Sequence, residues 1–168
     1  MSTRSRLVVF VAVFLAWYVG VGVLPGFSRW FIEGLTVPVA AWLINAVGLA
    51  AETVTASGSR LLASGGGLNV LQGCEGLDVL GLWLAAAAAG PFTLRGRLLA
   101  FTLGSVLVFA LNQARLLSLF HLYRHQRDWF GDAHGLWWPL LLVALVWGLF
   151  AAWQRGFGVP SGAAPSPA

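Results

Sequence analysis

Leu98–Phe120 reads LLAFTLGSVLVFALNQARLLSLF. The run is about the length that crosses the roughly 30 Å hydrocarbon core of a bilayer. Its one charge, Arg115, lies near the far end. Leu7–Leu24, Gly76–Phe92 and Leu136–Trp153 have the same character. The whole chain agrees with this reading. Of its 168 residues 58% are hydrophobic and only 10% are charged, and mean hydropathy is +0.80. A soluble domain is about 25% charged and about half apolar. Lipid must therefore be the solvent for part of the surface.

We expect an all-α polytopic membrane bundle with about four transmembrane helices, at about 7–24, 76–93, 98–120 and 136–153. The first follows Thr3-Arg4-Ser5-Arg6. It is longer than a signal-peptide core of about 7–15 residues and has no small-x-small site behind it, so it reads as an uncleaved helix. Pro25-Gly26 ends it. Trp30–Ala51 is apolar but carries Glu33, Pro38 and Asn45, so it either spans or lies in the interface. We take 27–51 as an interfacial or re-entrant helix. Residues 52–73 are rich in Gly, Ser and Thr and read as an extracytoplasmic loop or hairpin. Residues 121–134 read as a polar loop. One domain covers 1–155, and the Gly/Pro/Ala/Ser-rich stretch 156–168 reads as a disordered tail.

All ten basic residues are arginine, scattered singly or in pairs between apolar runs. That pattern suits loop anchoring and topology, so despite net charge +4 no nucleic-acid partner is expected. If 30–51 does not span, Arg4, Arg6, Arg95, Arg97 and Arg155 face Arg29, Arg60, Arg124 and Arg127 across the membrane. If it spans, everything after it flips, so charge alone does not set orientation. Either way Cys74 starts one span, Arg115 ends the next and His134 starts the last. All three reach the same face.

Cys74 is the only cysteine, which excludes an internal disulfide, a redox pair and a Cys-rich metal site. It is either a small packed residue or a reactive thiol. Its setting, Gln72-Gly73-Cys74-Glu75-Gly76, places it before a helix whose first N–H groups favour a thiolate or an oxyanion. Arg115 either snorkels to the interface or stabilises negative charge on that face. Asn112 shares its helix face. His134, with Asp132 two residues away, is either a helix cap or the acid/base for the thiol. Glu75 and Asp78 either complement the helix dipole or flank the nucleophile and position Arg115. His121 and His125 have i, i+4 spacing, but they and His134 fall in one polar stretch, so neither metal nor haem is expected, and no other cofactor. Ser105 lies in no G-x-S-x-G.

Three blocks together resemble the exosortase/archaeosortase family, in particular its compact exosortase H-like branch: Gly73-Cys74-Glu75-Gly76-Leu77-Asp78, Leu111-Asn112-Gln113-Ala114-Arg115 through Phe120, and Asp128-Trp129-Phe130-Gly131-Asp132-Ala133-His134. They stand in family order over roughly residues 50–150. Gln72 and Glu75 stand where that family usually has asparagines, and Asp78 where it commonly has glutamate. The resemblance implies a cysteine transpeptidase or peptidase of a bacterial inner membrane, with its site on the extracytoplasmic face and both chain ends cytoplasmic. Such enzymes process exported proteins that end in a short motif, a transmembrane helix and a basic cluster, and pass the new C-terminus to an acceptor nucleophile. Carried over, Cys74 is the nucleophile, Arg115 its electrostatic partner and His134 the acid/base. The other expectation is a non-enzymatic assembly or transport subunit in which Arg115 and Asn112 only hold helices together.

Overall fold

The computed structural model describes residues 2–64 and 66–159. It is mostly helical. Helix α1 (Thr3–Val23) ends at Leu24, whose backbone leaves the helical region (φ −110°, ψ 69°). Helix α2 (Pro25–Trp30) begins at once, with proline in the first turn, where its missing N–H costs nothing. A π-helical turn, Phe31–Thr36, carries α2 into α3 (Val37–Ala46). Three short strands come next: β1 (Thr55–Ser57), β2 (Arg60–Ala63) and β3 (Gly66–Asn69). They form an antiparallel sheet of order β1-β2-β3, with Leu61 opposite Leu68. The fold is thus not purely helical. The sheet is half-buried, with Leu61 and Leu68 inward and Arg60, Leu62 and Asn69 outward, the alternation of a sheet covered on one face.

Then come α4 (Leu77–Ala89), α5 (Leu94–Leu99), a π-helical turn at Ala100–Gly104, α6 (Ser105–His125), α7 (Arg127–Asp132), a π-helical turn at Ala133–Trp137, and α8 (Trp138–Phe157). Among the described residues three continuous helices are long and apolar enough to cross a bilayer: Thr3–Val23, Leu94–His125 and Arg127–Phe157. The expected span over 76–93 is shorter. It has 13 residues, about 20 Å of helix. It ends because Pro91 disfavours helical backbone at the residue before it, and Gly90 is extended (φ −61°, ψ 148°).

Two expectations are corrected. Residues 121–134 are helical except at Gln126 (φ −146°, ψ 62°); the polar side chains decorate exposed turns, with Arg127 stacked 4.6 Å over the Tyr123 ring one turn away. Gly156 and Phe157, expected in a disordered tail, complete α8. Thr93 N–H donates to the Phe157 carbonyl at 3.0 Å, and Val159 N–H to the Pro91 carbonyl at 2.7 Å. The rest of that tail, 160–168, lies outside the described residues.

Two buried clusters hold the helices. In one, Val54, Leu61, Leu68 and Val70 from the sheet region pack on Val37 and Ile44 of α3 and on Leu116, Leu119 and Phe120 of α6. Asn45 ties this lid down by bonding both backbone groups of Val54, at 2.8 and 2.9 Å. In the other, Trp83 of α4 meets Val108, Val146 and Trp153. Helix α1 has no buried residue, and Leu7, Val8, Val11 and Leu15, like Leu140, Leu141 and Val143 of α8, are exposed. Apolar side chains outward on long apolar helices are compatible with a lipid surround. Helix α1 runs antiparallel to α4: near one end Trp17 Nε1 donates to the Leu77 carbonyl at 2.9 Å, and near the other Arg6 and Phe10 lie by Ala89 and Gly90.

Trp83 is fully buried, donates Nε1–H to the Ala100 carbonyl at 2.8 Å and meets Trp153 edge-on at 5.8 Å. Its ring occupies the space that a β-carbon on Gly104 would need. Trp83→Ala should therefore destabilise the fold by about 3–5 kcal/mol. Trp83→Phe keeps most of the packing and should cost less. Denaturant unfolding in micelles, followed by circular dichroism, measures both.

Candidate active site

Cys74 lies in the link between β3 and α4. Val70 N–H donates to the Ser59 carbonyl at 2.8 Å, and Cys74 N–H to the Leu71 carbonyl at 3.0 Å, which closes a tight turn. Gly73 and Gly76 have φ of 87° and 85°, a region that penalises a β-carbon. Gly76 is also crowded: a β-carbon there would fall 2.6 Å from Asn112 Cγ. Asn112 uses that space. Its Nδ2 donates to the Glu75 carbonyl at 2.7 Å and to the Cys74 carbonyl at 3.4 Å. Helix α6 therefore holds the cysteine loop by its backbone. Helix α4 starts only at Leu77, so Cys74 precedes the helix by a glycine-bounded turn.

The thiol sulfur Sγ lies 3.0 Å from Nε2 of His134. Thiol to neutral imidazole and thiolate to imidazolium both satisfy this contact. His134 sits on the π-helical turn Ala133–Trp137, a geometry often found at functional positions. Its ring lies nearly parallel to Phe130 (centroids 5.7 Å, 13°), and Phe130 stands edge-on to Tyr123 at 5.7 Å. A cavity of about 30 Å³ opens between Cys74, His134, Leu68, Val70, Leu116 and Phe130, room for about one water.

Arg115 lies one turn beyond Asn112 on α6 and is 5% exposed. Its Nε has no partner among the described residues, and its charge bears electrostatically on His134. The expected link from Glu75 or Asp78 to Arg115 is not formed. Glu75 instead accepts from Ser28 Oγ of α2 at 3.4 Å, and Gln72 Nε2 donates to the same hydroxyl at 3.4 Å. Among the described residues the only ion pair is Arg124 with Glu52, at 2.7 Å. Asp78 and Asp132 are exposed, and neither makes a side-chain bond to Cys74, His134 or Arg115. His121 and His125 lie side by side on α6, centroids 4.7 Å apart. Among the described residues no group of three or more His, Cys, Asp or Glu is placed to hold a metal ion.

The structure thus brings Cys74, His134 and Asn112 into contact, with Gly73 and Gly76 shaping the loop and Arg115 close by. It leaves Asp78 and Asp132 apart. Sequence reasoning missed Phe130, Ser28 and the wall formed by Leu68 and Val70. Phe130 stands four residues before His134, a spacing that stacks side chains on a helix, so reading 121–134 as helical would have found it. Ser28 carried no signal of its own.

No family model, no curated protein and no solved structure matches this chain.

Burial pushes the Glu75 carboxyl above its ordinary range, and the Asp78 charge adds to this; backbone hydrogen bonds and Ser28 oppose it. The folded state therefore keeps this proton to higher pH than the unfolded chain does. The contribution to stability falls as pH rises from the unfolded pKa through the folded one, and above both the full burial cost is present. Glu75→Gln should raise stability at neutral pH and flatten that part of the profile. Unfolding midpoints in micelles across the acid-to-neutral range test this; a midpoint at neutral pH that falls in the variant contradicts it.

Proposed function

We propose that this chain is a membrane-embedded cysteine transpeptidase or peptidase of the exosortase type. It acts at the extracytoplasmic face of a bacterial inner membrane, on exported proteins that end in a sorting tail. The observation that carries this reading is the 3.0 Å contact between Cys74 Sγ and His134 Nε2, two side chains from distant parts of the chain. A thiol within hydrogen-bond reach of an imidazole is the arrangement that activates a cysteine nucleophile.

In this reaction His134 takes the thiol proton. The Cys74 sulfur attacks the scissile carbonyl carbon, and the carbonyl oxygen becomes an oxyanion. Arg115 stabilises that charge. The intermediate collapses as the amine leaves with the proton from His134, and the substrate stays on Cys74 as a thioester. His134 then deprotonates the acceptor, which attacks the thioester and releases the thiol. The unpartnered Nε of buried Arg115 supports this role. A guanidinium kept only to tie helices together would be expected to bond across them, because an unpaired buried charge is costly.

Co-expression with an exported protein carrying a motif, an apolar span and an arginine cluster tests the proposal. Cys74→Ala should abolish processing while the protein still inserts, and His134→Ala should slow it by about 10²–10⁴-fold. Arg115→Gln should cost about 10²–10³-fold. Processing at the normal rate in Cys74→Ala leaves the assembly or transport reading. A membrane-impermeant thiol reagent should label Cys74 from outside; labelling from the cytoplasmic side alone overturns the orientation.

A further inference from the structure

At the end of the molecule remote from Cys74, helices α1, α4 and α8 enclose an apolar groove of about 510 Å³. Leu7, Phe10, Ala86, Val146, Trp147 and Phe150 line it. The groove runs along the C-terminal half of α4, at Leu82, Ala86 and Ala89, between the start of α1 and α8. In a bilayer this space cannot stay empty, since its walls would lose packing partners.

Arg6 stands among the lining residues. Its guanidinium makes no hydrogen bond or ion pair among the described residues. Gly90, also in the lining, has its carbonyl engaged by Arg97 Nη2 at 3.4 Å, and Arg97 Nε is buried without a partner among the described residues. The ten arginines split five and five between the two ends, but the carboxylates do not. The six carboxylates, on Glu33, Glu52, Glu75, Asp78, Asp128 and Asp132, all lie on segments at the Cys74 end. Arg4, Arg6, Arg95, Arg97 and Arg155 lie around the groove end, with no acid among them.

We propose that this groove is a binding site for an anionic glycerophospholipid, with an acyl chain against Trp147 and Phe150 and the phosphate on Arg6. Apolar walls fit the chain, and the unpaired Arg6 guanidinium fits the phosphate. A substrate tail is disfavoured here, because its basic cluster would meet five arginines and no carboxylate.

Trp147 supplies the readout. The full chain is placed in phosphatidylcholine nanodiscs containing a minor fraction of lipid with brominated acyl chains, which quench nearby tryptophan. Brominated phosphatidylglycerol should quench at about fivefold lower mole fraction than brominated phosphatidylcholine, roughly what one arginine contributes at an anionic surface. Trp147→Phe should remove that difference, and Arg6→Gln should abolish the preference. Arg4→Gln, outside the groove, should retain it. Equal quenching by the two lipids, or an Arg6→Gln protein that keeps the preference, overturns the proposal. So does displacement of the brominated lipid by an apolar helical peptide ending in arginines, which would give the groove to a protein tail. None of these outcomes depends on Cys74, so they stand apart from the test of catalysis.

Discussion

The amide of Asn112 donates to the Glu75 carbonyl at 2.7 Å in the gap left by Gly76. An ordinary hydrogen bond contributes only about 1 kcal/mol net, but a buried group left without its partner costs more. Here the bond fixes the loop that carries the thiol. The same helix presents Arg115 one turn later, and Leu116 and Leu119 as a wall of the cavity beside the sulfur. Helix α7, which leads to His134, packs against that helix too. Thiol, imidazole and guanidinium are all referenced to α6, so small movements of the peripheral helices need not separate them.

Much of this organisation was legible in the sequence. The apolar runs around α1, α6 and α8 follow from composition, because few charges over a bilayer-length window admit little else. The convergence of Cys74, Arg115 and His134 on one face came from their placement at the ends of antiparallel runs. Gly76 was visible beside Cys74, but that Asn112 fills the space it leaves was not. What failed was the use of polarity as a sign of loop. His121 to His134 is polar because its turns are exposed, and the backbone is helical there apart from Gln126. The partner of Glu75 was also out of reach. A buried carboxylate seeks the nearest hydroxyl, and Ser28 became nearest only through the packing of α2 against the rest.

The two ends of the protein solve different problems. At the Cys74 end the small sheet covers the helices, and polar side chains bond to backbone across elements. At the other end indole rings do that work, with Trp83 and Trp153 each donating to a carbonyl of the α5 region at 2.8 and 2.9 Å. An indole carries its own donor on a large apolar body, so it can satisfy a stray carbonyl without introducing charge. That suits surroundings where water is scarce.

The π-helical turn at Ala133–Trp137 bears on how such a chain tolerates change. A π-turn accommodates one residue more than an α-turn of the same helix. Deleting a single residue there would heal the segment into regular α-helix and leave the apolar run of α8 intact. The flanking turns would keep their faces, since the bulge holds its extra residue locally, but His134 lies inside the bulge and would lose the backbone position that aims it at the sulfur. Fit to the lipid and aim at the thiol are thus encoded separately within one continuous helix, and a length change of one residue is enough to lose the second while keeping the first.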